Sequence, residues 1–349
     1  MPIDVHASSH PDTLSWVAQA PPVPPFRVPP VRAAFEQEQA RLRAAFSQVL
    51  GNFPAHLPAP TVEHLSTTQH AGYQVERFRF NGGTGWFVPG VVYRPIGPGP
   101  FPAILWCHWH GGNYALGIGA LTTTDYTPEP PGPTLARRGY VVLAIDAPGF
   151  GELNGQGPDR TAGSVGESSI AKYELLYGRS MWGLTIHHDR CALSILAARS
   201  DVDATRIGTA GISMGCLRAL WISALDERIR ATVAICCLVR LQDLIAANSM
   251  HYHAHYYYIP GILQIGDVET VIACIAPRAL LSLNGADDPL TPLSGIRTTA
   301  TLARPAWDLY AAGSRMRMDI IDGVGHAWNP AMWHDSLTWL DRHLEVTNE

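Results

Sequence analysis

The run Thr209-Ala210-Gly211-Ile212-Ser213-Met214-Gly215-Cys216 holds a G-x-S-x-G pattern between a strand-like segment at 206–212 and a helix-like segment at 216–224. A serine hydroxyl is a weak nucleophile at neutral pH, so it must be lifted off the backbone to a place where a base can reach it. A sharp turn from strand into helix does this, and glycines on both sides leave room for backbone that would collide with a side chain. The helix that follows contributes its positive N-terminal end, and the N–H of Met214 is placed to face a developing oxyanion. The competing reading is an ordinary glycine-rich turn; the strand before and the helix after favour the nucleophile elbow.

Composition narrows the rest. Of 349 residues, 46% are hydrophobic and 16% charged, as in a globular chain with a substantial core. The net charge of −5, with no basic block, argues against a nucleic-acid partner. The start MPIDVHASSHPDTLSWVAQAPP has neither a cationic beginning nor an apolar run, so no secretory signal is expected. No segment is apolar for long enough to cross a bilayer. Six cysteines lie mostly within apolar runs and form no C-x-x-C pair, which suits buried free thiols in a reducing cytoplasm. A homo-oligomer is compatible with these features.

No polar linker divides the chain, so a single α/β domain with additions is expected. Residues 1–60 read as a proline-rich N-terminal extension with one helix at 31–50, whose apolar face would be Ala34, Phe35, Leu42, Ala45 and Phe46. Residues 61–349 read as a catalytic domain. Strands are expected at 73–80 and 86–93, joined by a hairpin at Asn81-Gly82-Gly83. Further strands at 103–107, 140–145, 206–212, 231–238, 279–283 and 316–321 alternate with helices at 133–138, 214–224, 293–302 and 331–344. One long helix is expected over 168–199. Such alternation builds a mostly parallel sheet covered on both faces, with its working residues in loops at the carboxyl ends of strands. The segment at about 240–266 breaks the repeat and reads as a lid inserted over the site.

An elbow serine needs a base and an orienting acid, and in this architecture they follow it in the chain. Asp287-Asp288-Pro289 comes just after the expected strand 279–283, and Gly325-His326 just after 316–321. His326 would take the serine proton and return it to the leaving group. Asp288 would hold the imidazole tautomer, because the proline after it fixes the turn; Asp287 is the alternative. The loop His108-Trp109-His110-Gly111-Gly112, after strand 103–107, offers a second oxyanion donor in the N–H of His110, or alternatively of Gly111.

These residues carry a resemblance. With His108–Gly112, Asp146–Glu152, Gly211–Gly215, Ile275–Arg278, Gly285–Pro289 and Gly325-His326, the chain resembles the α/β-hydrolases, and within them the dienelactone hydrolase-like and acetyl xylan esterase-like carboxylesterases. The resemblance spans about 75–345. It implies an α/β-hydrolase fold, a cofactor-free serine carboxylesterase and a small-molecule ester as partner, an acetylated sugar being one candidate. Dienelactone hydrolases proper use a cysteine where Ser213 stands, which favours ordinary esters here. A peptidase of the prolyl-oligopeptidase type uses the same triad, and a binding protein without catalysis shares the fold; both remain open.

Trp109, Gly111, His253 and Tyr257 are expected to line the substrate pocket, together with other lid aromatics. His251, His253 and His255 alternate, and on a strand they would share a face able to hold zinc. No cysteine or carboxylate pattern accompanies them, so an aromatic and imidazole wall is expected and no metal.

Overall fold

A computed structural model describes residues 19–54 and 58–346. The expected extension's residues 1–18 and 55–57, and the chain's last three residues, lie outside the described residues. Nine strands form one sheet in the order β1-β2-β3-β5-β4-β6-β7-β8-β9. The first three, β1 (Val62–His70), β2 (Tyr73–Asn81) and β3 (Phe87–Pro95), are an antiparallel meander that joins β5 (Val141–Ile145) antiparallel. The strands β5, β4 (Phe101–Cys107), β6 (Val202–Ile212), β7 (Ile229–Ile235), β8 (Ala279–Gly285) and β9 (Met316–Ile321) run parallel.

The inner parallel strands β4, β5 and β8 are largely apolar and buried because helices cover both faces. On β4, Ile104 packs with Leu135 of α2 (Pro131–Arg137) and Leu344 of α9 (Pro330–Leu344), while Ala103 and Leu105 turn to the other face with Leu193 of α4 (Met181–Ala197). The chain leaves β4 for β5 on one side and returns to β6 on the other. The loops after β4 and β6 therefore flank the crevice where strand order reverses, the usual place for a ligand.

Two expectations of regular structure fail. The single helix over 168–199 is two, α3 (Gly163–Leu176) and α4, because Gly178 turns left-handed at φ 71° and Ser180 caps α4 by accepting the N–H of Gly183. Strand β7 stops at Ile235, short of residue 238, because Cys236 and Cys237 take φ of 51° and 65°. Strand β1 was not foreseen: all nine of its residues are exposed, so it carries no apolar alternation to read.

The N-terminal helix α1 (Arg32–Leu50) buries Phe35, Gln39, Leu42, Phe46 and Leu50. Gln39 takes the place expected of Ala34, which is exposed, and its amide donates to the carbonyls of Ala273 and Ala276 at 3.0 and 2.9 Å. Among the described residues no helix is long and apolar enough to cross a membrane.

Candidate active site

Ser213 ends β6 at φ 61° and ψ −124°, a strained conformation for a residue with a Cβ, and α5 (Met214–Leu225) begins at the next residue. The flanking glycines are sterically required. A Cβ on Gly211 would lie 2.6 Å from the Cys107 carbonyl oxygen, and one on Gly215 would lie 2.1 Å from the same atom. Beneath the turn, Arg218 of α5 forms a fully buried two-point pair with Asp189 of α4, at 3.0 and 2.6 Å, and donates to the His108 carbonyl at 3.4 Å. The elbow helix and the loop after β4 thus share one anchor.

The loops after β8 and β9 meet because Gly285 leaves them room. A Cβ there would come within 2.2 and 2.3 Å of the Val324 and Gly325 carbonyl oxygens. Across this contact His326 Nδ1 and Asp288 Oδ2 lie 2.8 Å apart, and Asp288 Oδ1 accepts the Leu290 N–H at 2.9 Å. Asp288 is buried; Asp287 is exposed and forms no part of this pair. His326 and Ser213 border one cavity of about 260 Å³, with His110, Gly111, Gly112, Tyr126, Tyr252, His253 and Tyr256 among its walls. A larger cleft of about 1170 Å³ between α1 and α4 contains none of the triad candidates.

The loop after β4 divides its residues sharply. His108 is wholly buried; Nδ1 donates to the Trp109 carbonyl at 2.8 Å and Nε2 accepts the Ala147 N–H at 3.1 Å. Burial, reinforced by the nearby Arg218 charge, holds its pKa well below the ordinary imidazole value. His110 reaches the cavity, and Gly111 follows it at φ 55°. Trp109, expected in the pocket, instead turns into the core against Tyr126, with ring centroids 5.4 Å apart, because successive side chains here alternate sides. It is not among the lining residues.

The covering segment forms α6 (Leu241–Ala246), three short 3₁₀ turns and then α7 (Val268–Ala273), with no strand. The three alternating histidines therefore share no strand face: His251 and His255 are exposed, and His253 is buried. His253 lines the cavity and donates from Nε2 to the Leu290 carbonyl at 2.9 Å. Tyr257 faces away from the cavity, packs edge-on against Trp182 at 5.5 Å and directs its hydroxyl to the Val239 carbonyl. Its expected place is filled by Tyr252 and Tyr256. Cys236, Asp288 and His326 bring donor atoms within 4.8 Å of one another. The last two are engaged with each other, and burial pushes the Cys236 thiol up to about 11, so it is no ready ligand.

Tyr126 lines the cavity and Glu167 bonds the cavity residue His110, though the sequence singles out neither. Tyr126 sits in a loop without periodicity, and Glu167 looks like any polar residue of a helix. Neither had a local signal to find.

The sheet order, the strained serine at the switch point and the acid and base loops after the last two strands define an α/β-hydrolase fold. A family model described as the Abhydrolase family matches residues 15–294, and the chain belongs to that family. The Bacillus subtilis (strain 168) protein named "Putative hydrolase YtaP" is 33% identical over 309 residues, which cover 88% of this chain and 100% of that one. Among solved structures, a "putative acetyl xylan esterase" from Bacteroides fragilis NCTC 9343 is similar at a TM-score of 0.70 and 20% identity, over 90% of this chain and 82% of the other. A glucuronoyl esterase from Solibacter usitatus is similar at 0.66 and 17%, over 94% and 99%. At these identities the two structures share the fold.

Proposed function

We propose that this chain is a serine hydrolase that cleaves carboxylic esters through an acyl-enzyme intermediate. The observation that carries the reading is Ser213, strained at φ 61° on the elbow, in one cavity with a histidine whose Nδ1 is held by a buried aspartate. Asp288 accepts the Nδ1 proton, which leaves Nε2 of His326 with a lone pair to take the proton from Ser213. The serine oxygen attacks the acyl carbon. The oxyanion that forms is held by the N–H groups of Met214 and His110, with Gly111 as the alternative second donor. His326 then protonates the departing alcohol, the acyl-enzyme forms, and water repeats the sequence to release the acid. This route requires no cofactor and no metal.

The cavity's size and aromatic walls, with no lysine or arginine lining it, favour uncharged esters with a small or medium acyl or alcohol group. Acetylated sugars fit that description, and one similar structure is named for acetyl xylan. We place the protein in the cytoplasm on the strength of six buried free thiols, without a nucleic-acid or membrane partner and compatible with a homo-oligomer.

The test is hydrolysis of p-nitrophenyl esters from acetate to palmitate by the wild type and by Ser213→Ala. Short-chain activity abolished by the substitution is expected; equal rates from both proteins would refute the assignment. Faster turnover of an amide than of its matching ester would favour a peptidase. A folded protein that resists a fluorophosphonate probe would favour a binding role.

A further inference from the structure

Glu167 stands on α3 and is 1% exposed. Three groups from two other parts of the chain converge on its carboxylate. His110 donates from Nε2 to Oε2 at 3.0 Å, the Tyr114 hydroxyl donates to the same oxygen at 2.7 Å, and the Tyr256 backbone N–H donates to Oε1 at 3.3 Å. Burial works against charge on Glu167, but the bonds from His110 and Tyr114 outweigh it and hold the carboxyl below its ordinary range.

A carboxylate only accepts, so the His110 proton must sit on Nε2 and its Nδ1 must carry a lone pair. That lone pair accepts the N–H of Gly112 at 3.0 Å. The bond closes a ring over Gly111 and Gly112, at φ 55° and 69°, beside the turn in which the Asn113 N–H donates to the His110 carbonyl at 3.1 Å. The tautomer set by Glu167 thereby fixes the peptide planes that border Ser213's cavity. The same carboxylate ties down the covering segment at Tyr256, which lines that cavity.

We propose that Glu167 is a positioning residue for ester hydrolysis: acting through the His110 tautomer, it holds the 110–112 backbone in the orientation that presents an oxyanion donor to the acyl group on Ser213. The proposal rests on the ester-hydrolase reading. A glutamine at this position cannot accept from all three donors, and with its NH2 turned to His110 it no longer favours the Nε2-protonated ring.

The experiment compares wild type, Glu167→Gln, Glu167→Asp, His110→Ala and the double variant His110→Ala/Glu167→Gln on p-nitrophenyl acetate. Inhibition by a trifluoromethyl ketone, which adds to the serine as a tetrahedral oxyanion, is measured alongside. Losing a well-placed oxyanion donor costs on the order of 10²-fold in kcat. Glu167→Gln is expected to lose kcat on that scale with KM little changed, and the ketone's Ki should rise by the same factor. Glu167→Asp should restore part of the loss, and the double variant should be no worse than His110→Ala alone.

An unchanged kcat in Glu167→Gln, a Ki that stays put while kcat falls, or losses that multiply in the double variant would each overturn the proposal. If Glu167→Gln does not fold, His110→Ala decides alone, since full activity there overturns the proposal equally. An inert wild type brings down the ester reading and the proposal with it, whereas an active wild type beside an unaffected Glu167→Gln brings down the proposal only.

Discussion

Two histidine–carboxylate pairs border one cavity, His326–Asp288 at 2.8 Å and His110–Glu167 at 3.0 Å, and in both the carboxylate is almost wholly buried. They differ in which ring nitrogen the carboxylate engages. Asp288 takes Nδ1 of His326 and leaves Nε2 available to exchange a proton. Glu167 takes Nε2 of His110, and Nδ1 is turned back onto the N–H of Gly112 in its own loop. The proposed mechanism uses the first arrangement to carry a proton between groups, and the proposed role of the second is to hold a shape. On the proposed mechanism the same two residue types serve as a reactive pair in one place and a positioning pair in the other, according to which ring nitrogen faces the carboxylate. A third buried carboxylate, Asp189, is paired with Arg218 and does not line the cavity of Ser213.

Substitutions can test this contrast. Ser213→Ala should lower kcat on p-nitrophenyl acetate by on the order of 10⁶-fold, which sets the floor against which both pairs are judged. Asp288→Asn should cost about 10⁴-fold through the wrong tautomer. If steady-state kinetics found it no more harmful than Glu167→Gln, the distinction between proton carrier and shape holder would collapse.

Asp189→Asn leaves the Arg218 charge buried without its counter-ion and should destabilise the fold by about 3–5 kcal/mol in chemical denaturation. The folded fraction should keep its turnover, and a collapse of kcat at full stability would place Asp189 with the reactive groups instead. The smallest effect is expected from Asp287→Asn, an exposed position, with kcat within about twofold and stability within about 0.5 kcal/mol of wild type. A large loss there would reassign the acid.

What could be read beforehand followed from local constraints. The elbow and the loops of Asp288 and His326 each lie in a few consecutive residues where a strand end, a glycine or a proline limits the backbone, so Ser213, Asp288 and His326 are legible from spacing and order as candidates. The inner parallel strands are legible because burial on both faces makes them largely apolar runs.

Trp109 and Tyr257 were misassigned because sequence places a residue in a loop without saying to which side it points. Strand β1 is polar and exposed, and Gly178, one of two glycines in the stretch 168–199, looks like a glycine that a helix tolerates. Glu167 lies 57 residues beyond His110, and nothing local links a helical glutamate to a distant imidazole. Such a link depends on the packing of α3 against the covering segment, which no short window contains.

The backbone at Ser213 has a practical consequence for anyone improving this protein in the laboratory. A glycine at that position would sit at φ 61° without a Cβ to strain it, so the inactive variant is expected to be the more heat-tolerant one. A selection scored on survival of heating alone would be drawn toward it. Screens for hardier versions should therefore read turnover and melting in the same well.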